Sequence, residues 1–137
     1  MIRLIMIVGI VALIVWFIRT LRESTALAAK QGCVVAVTGE VDYITDGTRA
    51  ARVANGHATM PLITALGCSL TGIVAAFVAT GDDPFDATVA ALAFYGAAGE
   101  VAGATAKGPG SFQVAFLDAL HTLTPGMLDQ MGRVTEA

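Results

Sequence analysis

The order of apolar and polar residues divides the chain into an apolar amino-terminal segment and a mixed body. Leu4 to Ile18 form one run that is apolar apart from the neutral Gly9, with Arg3 and Arg19 at its ends. As a helix this run spans roughly 22 Å, and flanking arginines can extend their side chains toward the interfaces of a ~30 Å hydrocarbon core. The pattern predicts a single-pass membrane helix, with residues 2–18 in the bilayer.

Two other interpretations of this segment are weaker. A buried strand of that length would be unusual, because most strands have three to ten residues. A signal peptide would need a small-residue cleavage site, but Arg19 and Arg22 separate the apolar run from the nearest one, Ala26 to Ala28. The charges that follow the run, which include Lys30, outnumber Arg3 and the amino terminus. We therefore expect the body to lie in the cytoplasm.

The first part of the body has the pattern of short strands. Residues 33–37, with the sequence CVVAV, form an apolar β-branched run that is typical of a buried strand. Polar and apolar residues then alternate around Asp46-Gly47, which predicts a hairpin with a type I′ turn. Its strands are expected at residues 41–45 and 49–54.

After residue 68 the apolar spacing becomes helical. Three helices are predicted, at residues 69–79, 84–105 and 111–122. Pro84 suits the first turn of the second helix, since its missing N–H is not needed there. The predicted organisation is an anchor helix in residues 1–24, followed by an α/β domain in residues 25–137.

Composition and charge narrow the possible functions. The net charge is −3 and the eight Lys and Arg residues are scattered, so no basic stripe is present for a nucleic acid backbone. Cys33 and Cys68 are 35 residues apart without a Cys-x-x-Cys pattern, which predicts neither a zinc site nor a disulfide framework. No residue is predicted to ligate a metal, and the body is expected to be reduced and to face the cytosol.

Several sequence blocks resemble one enzyme family. The blocks are VVAVTGEVDYITDG, the Gly-Cys-Ser-Leu at residues 67–70, AALAFYGAAGE and GPGSFQVAFLDAL. Together they resemble the carboxy-terminal half of hydroxyethylthiazole kinase, a thiamin-salvage enzyme. The resemblance implies part of a ribokinase-like three-layer fold, here a β-hairpin plus a strand with three helices. It also implies Mg²⁺-dependent transfer of the ATP γ-phosphate to 4-methyl-5-(2-hydroxyethyl)thiazole, and active sites between the subunits of a trimer.

The resemblance also assigns roles to four residues. Cys68 matches the family's catalytic cysteine, which takes the place of the aspartate base of ribokinase relatives. Thr38 matches a nucleotide-contacting threonine, and Gly67 lies in the turn expected to contact the nucleotide phosphates. Ala65 stands at a substrate-contacting position. The first N–H groups of a helix favour an anion, so a Gly-Cys-Ser-Leu turn suits phosphoryl transfer.

This chain departs from the family at the same turn. The family has Gly-Thr-Gly-Cys, whereas this chain has Ala65-Leu66-Gly67-Cys68. The changes add a Cβ where the backbone approaches substrate and remove a hydroxyl that can face phosphate. Two of these residues also have a plain structural interpretation: Cys68 as a small buried residue at a tight turn, and Thr38 as a hydroxyl at the end of a strand.

Two hypotheses on function follow. In the first, the chain is an ATP-dependent thiazole kinase, or the carboxy-terminal part of one, completed by another chain or by a homo-oligomer. In the second, it is a non-catalytic single-pass membrane protein and an accessory subunit of a larger complex. The family resemblance favours the first hypothesis, whereas the apolar segment before residue 25 favours the second, because it stands where the kinases have their amino-terminal half.

Overall fold

The computed structural model describes the backbone of residues 2–137, and the side chains of residue 15 and of residues 18–137. Within that part of the chain the helices are α1 (Ile2–Gln31), α2 (Leu66–Thr80), α3 (Pro84–Thr105), α4 (Pro109–Thr122) and α5 (Pro125–Met131), with a short 3-10 turn at Met60–Leu62. The strands are β1 (Val35–Val37), β2 (Asp42–Thr45), β3 (Ala50–Val53) and β4 (Val134–Glu136). They form one antiparallel sheet in the order β1-β2-β3-β4.

The predicted hairpin is confirmed as β2 and β3, but its turn differs from the predicted type. Thr45 pairs with Ala50, which leaves a four-residue loop, and within that loop only Gly47 has a positive φ, of 93°. The carboxylate of Asp46 accepts hydrogen bonds from the backbone N–H groups of Thr48 and Arg49, at 2.8 and 2.7 Å. The prediction of a type I′ turn was therefore wrong. The loop has four residues instead of two, and the Asp46 carboxylate at its first position stabilises it through these hydrogen bonds.

The sheet is covered by helices on both faces. Neighbouring residues on a strand point to opposite faces. In β2, the Tyr43 hydroxyl lies 3.2 Å from the Thr25 hydroxyl of α1, while the adjacent Ile44 packs in the cluster that contains Leu92 of α3. The result is a three-layer α/β arrangement, with α1 on one side and α3 on the other.

Helix α3 is the centre of the core. Its apolar residues pack against the sheet through Leu92 and Ala93, and against α4 through Tyr95 and Ala98. Among the described residues α3 is the one helix long and apolar enough to cross a membrane, but 61% of its apolar stretch is buried inside the protein. Such burial is that of a core helix.

The first predicted strand is shorter and less buried than expected. Strand β1 covers Val35–Val37 and lies at the edge of the sheet, where its residues are exposed or half-buried. Cys33 precedes it in the turn after α1 and is exposed. The prediction of a buried strand over 33–37 was wrong, because an apolar β-branched run suits an edge strand as well as a central one.

The three predicted helices are confirmed with shifted ends, and two further elements were missed. Helix α2 begins at Leu66 instead of 69, so that Cys68 lies inside its first turn rather than before it. Helix α5 and strand β4 follow α4, and β4 pairs with β3 through Val53 and Val134. They are short and mostly exposed, so their apolar pattern is weak.

Helix α1 crosses the predicted boundary at residue 24 without a break. Its second half is packed onto the sheet: Ser24 and Ala28 are buried, and Gly47 of the hairpin approaches Ala29 so closely that a Cβ on it would lie 2.6 Å from the Ala29 nitrogen. The predicted membrane segment, residues 2–18, falls almost entirely on side chains outside the described residues.

Candidate functional site

A cleft of about 870 Å³ opens between the β1–β2 turn and the start of α2. This volume suits a small molecule. Its walls come from the β1–β2 turn, the segment after β3, the first turns of α2 and the middle of α3. The residues that line it include Thr38, Gly39, Glu40, Val41, Asp42, Asn55, Gly56, His57, Gly67, Leu70, Leu92 and Tyr95.

The first turn of α2 presents backbone N–H groups without a side-chain cap. The N-cap is Ala65, whose side chain has no acceptor, and the helical bonds begin with the Ser69 N–H donating to the Ala65 carbonyl at 3.0 Å. The N–H groups at the start of a helix have no partner within that helix. Together with the helix dipole they make this turn suitable for an anion.

The backbone of this turn shows the cost of one of the departures from the family. Ala65 has φ 66° and ψ 9°, the left-handed region, and it is the one described residue other than glycine with a positive φ. Glycine adopts this region readily, whereas a residue with a Cβ is strained there by about 1–2 kcal/mol. The position at which the resembled family has glycine is therefore a position where the fold requires a positive φ.

The structure brings two of the four predicted site residues into the cleft. Thr38, just after β1, and Gly67, in α2, both line it. Cys68 is exposed next to Gly67, and Ala65 stands two residues before it, but neither belongs to the lining. The interpretation of Cys68 as a buried turn residue was wrong, because its side chain faces out of the core on a helix whose inner face is formed by other residues.

Two carboxylates stand beside Thr38 at the mouth of the cleft. Glu40 is exposed, while Asp42 is half-buried and accepts a hydrogen bond from the Gly39 N–H at 2.9 Å. Burial raises the pKa of Asp42, and the bond from Gly39 opposes that shift. Within the described residues no three His, Cys, Asp or Glu side chains come together as a metal site. This set does not fit a dedicated magnesium site.

Asn55 and Gly56 form a wall of the cleft that the sequence did not reveal. The Asn55 amide donates to Glu100 of α3 at 3.0 Å and to the Met131 carbonyl at 2.9 Å. Glu100 also accepts from the Gly56 N–H at 2.9 Å and forms an ion pair with Arg133 at 2.5 Å. The signal available in the sequence was Asn-Gly directly after a strand, but the partner residues are 45 to 78 positions away.

The comparisons with known sequences agree with the resemblance seen in the motifs. The sequence model of the hydroxyethylthiazole kinase family matches residues 17–126. A hydroxyethylthiazole kinase of Cereibacter sphaeroides is 67% identical over 111 residues, and one of Rhizobium leguminosarum bv. trifolii is 56% identical over 112 residues. Each of these alignments covers 81% of this chain and 42% of the relative.

A solved structure shows the same similarity in three dimensions. The structure of a hydroxyethylthiazole kinase protein from Pyrococcus horikoshii OT3 matches with a TM-score of 0.82 and 36% identity, over 87% of this chain and 46% of that one. The chain thus spans about half the length of the relatives it matches. The matched part includes the second half of α1, the whole cleft and helices α2 to α4.

Proposed function

Because the chain belongs to the hydroxyethylthiazole kinase family, we propose that it provides one wall of an ATP-dependent kinase site that phosphorylates 4-methyl-5-(2-hydroxyethyl)thiazole. The observation that carries this proposal is the cleft that Thr38 and Gly67 both line. The family match covers both residues. In this proposal, kinase activity of the complete site also requires the part of the related kinases that the matched residues do not cover.

In this proposal the first turn of α2 receives the phosphoryl group. The uncapped N–H groups of Leu66, Gly67 and Cys68 are positive ends of peptide dipoles, and Gly67 has no Cβ to hinder the approach of phosphate oxygens. Phosphoryl transfer depends mainly on positioning and on stabilising charge on the equatorial oxygens. Thr38, on the opposite side of the cleft, is the proposed hydrogen-bonding contact for the nucleotide.

Cys68 is the proposed base for the attacking alcohol. The oxygen of the thiazole hydroxyethyl group attacks the γ-phosphorus, the new O–P bond forms, and the bond between the γ-phosphorus and the oxygen that leaves with ADP breaks. The hydroxyl proton passes to the Cys68 sulfur, which accepts it as a thiolate and becomes a thiol. A weak base is sufficient here, because in a loose transition state the proton is lost late. The exposure of Cys68 in the first turn of α2 leaves its sulfur accessible to a substrate.

Magnesium, which kinases use to neutralise phosphate charge, would be bound by the nucleotide phosphates and by groups beyond the described residues.

Helix α2 supports the idea that another polypeptide segment completes the site. It is a 15-residue apolar helix, yet none of its residues is buried, and Val78 is 36% exposed. A homologous kinase half, or a further subunit in a homo-oligomer, would cover this face.

The experiment is a complementation assay. The full chain is purified alone and together with a polypeptide comprising the part of the Cereibacter sphaeroides kinase that it does not match. ADP formation is then followed with ATP, Mg²⁺ and the thiazole alcohol. We expect no thiazole phosphorylation by the chain alone, and turnover of about 1 s⁻¹ or more for the mixture. In the mixture, Cys68→Ala should lower kcat by about 10²-fold or more.

Cys33→Ala is the matched control, since Cys33 is also exposed but lies at the far end of β1 from Thr38. It should leave kcat unchanged. A mixture that forms a complex but stays inactive, or one that loses nothing with Cys68→Ala, would contradict the proposed role of this turn. Turnover by the isolated chain would contradict the need for a second half.

A membrane location is a separate proposal that rests on the sequence of residues 2–18. The family match begins at residue 17, so that most of this apolar run lies before it. We propose that the run anchors the chain, with its body in the cytoplasm, either as part of the kinase or as a non-catalytic subunit of a membrane complex. Such a chain should stay in the membrane pellet after alkaline carbonate extraction. Recovery in the soluble fraction would contradict the anchor without affecting the kinase proposal.

A further inference from the structure

Helix α2 is held against α3 by apolar contacts, among them Phe77 of α2 against Phe94 of α3 with the ring centroids 5.5 Å apart. None of its residues is buried, and Ala65 offers no side chain to cap it. Leu66, Leu70, Ile73 and Val74 are its partly buried residues that pack against the core. Apolar contacts are not directional, so they hold the helix near the core without fixing the orientation of its first N–H groups. A directional bond is needed for that.

Tyr95 of α3 makes such a bond. Its hydroxyl donates to the carbonyl of Leu66, the first residue of α2, at 2.7 Å, and lies 2.5 Å from the Ser69 hydroxyl. The Ser69 hydroxyl also donates to the Leu66 carbonyl, at 2.9 Å. Each hydroxyl has a single hydrogen and directs it at the Leu66 carbonyl, so Tyr95 and Ser69 converge on one carbonyl of the turn that contains Gly67 and Cys68.

The tyrosine itself is held firmly. It is 4% exposed, and its ring packs edge-on against Phe116 of α4 with the ring centroids 4.8 Å apart. Burial raises the pKa of Tyr95, against the effect of the bond with Ser69, and this keeps the hydroxyl protonated as a donor. A fixed ring in the core thus places a donor at one point of the surface turn.

We propose that Tyr95 is a positioning residue that orients the first turn of α2 for the phosphoryl group. This inference rests on the proposed function, in which that turn binds phosphate. Tyr95 acts through the Leu66 carbonyl and touches neither the reacting atoms nor the base. Without the Tyr95 hydroxyl, the N–H groups of Gly67 and Cys68 remain at the start of α2 but lose their fixed direction.

The test compares Tyr95→Phe with Tyr43→Phe in the full chain. Tyr43 is the matched control, since its hydroxyl also joins two elements, β2 and α1, but away from the cleft. The first measurement is amide hydrogen exchange in α2. We expect Tyr95→Phe to speed exchange of the Leu70 N–H, the helical donor to the Leu66 carbonyl, by about fivefold, the effect of one ordinary hydrogen bond. Exchange in α3 and the sheet should stay unchanged.

The second measurement is a titration with inorganic phosphate, followed by the amide NMR signals of Gly67 and Cys68. Wild type and Tyr43→Phe should bind alike, while Tyr95→Phe should bind phosphate about fivefold more weakly. Unchanged Leu70 exchange in Tyr95→Phe, or faster exchange spread evenly over the protein, would overturn the inference and leave the proposed function intact. Phosphate could leave the Gly67 and Cys68 signals of wild type unchanged while Tyr95→Phe still speeds exchange of the Leu70 N–H alone. In that case the proposed function fails and the positioning of the turn by Tyr95 stands.

Discussion

Helices α2 and α3 are both rich in alanine, glycine and β-branched residues, but they occupy opposite environments. Twelve residues of α3 are buried, whereas none of α2 is. Their amino termini differ as well: Asp83 caps α3 with its carboxylate, and Ala65 caps α2 with no side-chain acceptor. The comparison teaches that apolar composition alone does not assign a helix to the core. Here the exposed helix α2 contains the first turn of the candidate site, and the buried helix α3 holds that turn in place through Tyr95.

The largest effect should come from filling a glycine position in each helix. A Cβ on Gly96 of α3 would lie 2.6 Å from the Asn55 carbonyl oxygen, whereas a Cβ on Gly72 of α2 meets nothing within 4 Å. We expect Gly96→Ala to lower the free energy of unfolding by about 2 kcal/mol, because backbone must move to accommodate the methyl group. Gly72→Ala should raise it by about 0.5–1 kcal/mol through helix propensity. Urea denaturation of both variants measures the two changes in the free energy of unfolding. Equal changes would contradict the expected difference between the two helices.

A smaller effect is expected from the charged cap of α3. Asp83 accepts hydrogen bonds from the Asp86 and Phe85 N–H groups and pairs with Arg49, and these contacts hold its pKa below the usual value. A carboxyl group whose pKa is lower in the folded state stabilises fully above its unfolded pKa, near 4, and loses this contribution as the pH falls through its folded value.

The melting temperature should therefore fall as the pH is lowered from 6 to 3, and the fall should be shallower in Asp83→Asn. Asp82→Asn removes the same charge one residue earlier and serves as the control, which should follow wild type. Thermal melts at both pH values give the comparison. If the two asparagine variants had the same slope, the stabilising role of the Asp83 cap would have to be abandoned.

The smallest effect is expected at the start of α2. Ala65→Gly removes the strain that the Ala65 Cβ causes in the left-handed region, but it adds flexibility to the unfolded chain. We expect a net gain in unfolding free energy of about 0.5 kcal/mol. Ala75→Gly, at an exposed position within the same helix, should instead cost about 1 kcal/mol. Chemical denaturation distinguishes the two glycines, and a loss of stability with Ala65→Gly would show that the φ of residue 65 is not under strain.

The parts of the fold that depend on local signals could be predicted from the sequence. Asp46-Gly47 marked the hairpin, and Pro84 marked the first turn of α3. The burial of Cys33 and the end elements could not be predicted in this way. Whether a strand is central or at an edge depends on its neighbours, and β4 is a strand only because β3 pairs with it from about 80 residues away.

The candidate site divides in the same way. Thr38 and Gly67 were identified from motifs that are contiguous in the sequence, and the structure places both in one cleft. Asn55 and Tyr95 were not identified, because their importance comes from bonds to distant residues, namely Met131 for the first and Leu66 for the second. A pattern of apolar spacing contains no information on such long-range hydrogen bonds.

The bonds between Asn55 and the segment that joins α5 to β4 have a consequence for the order of events during synthesis. Asn55 is synthesised 76 residues before Met131 and 78 residues before Arg133, which are its hydrogen-bond partners. The β2–β3 hairpin pairs locally and can form while translation continues, since its contacts close only a short loop. The wall of the cleft at Asn55 has to wait for β4. A nascent chain therefore has a nearly finished sheet and an unfinished binding cleft until β4 has emerged.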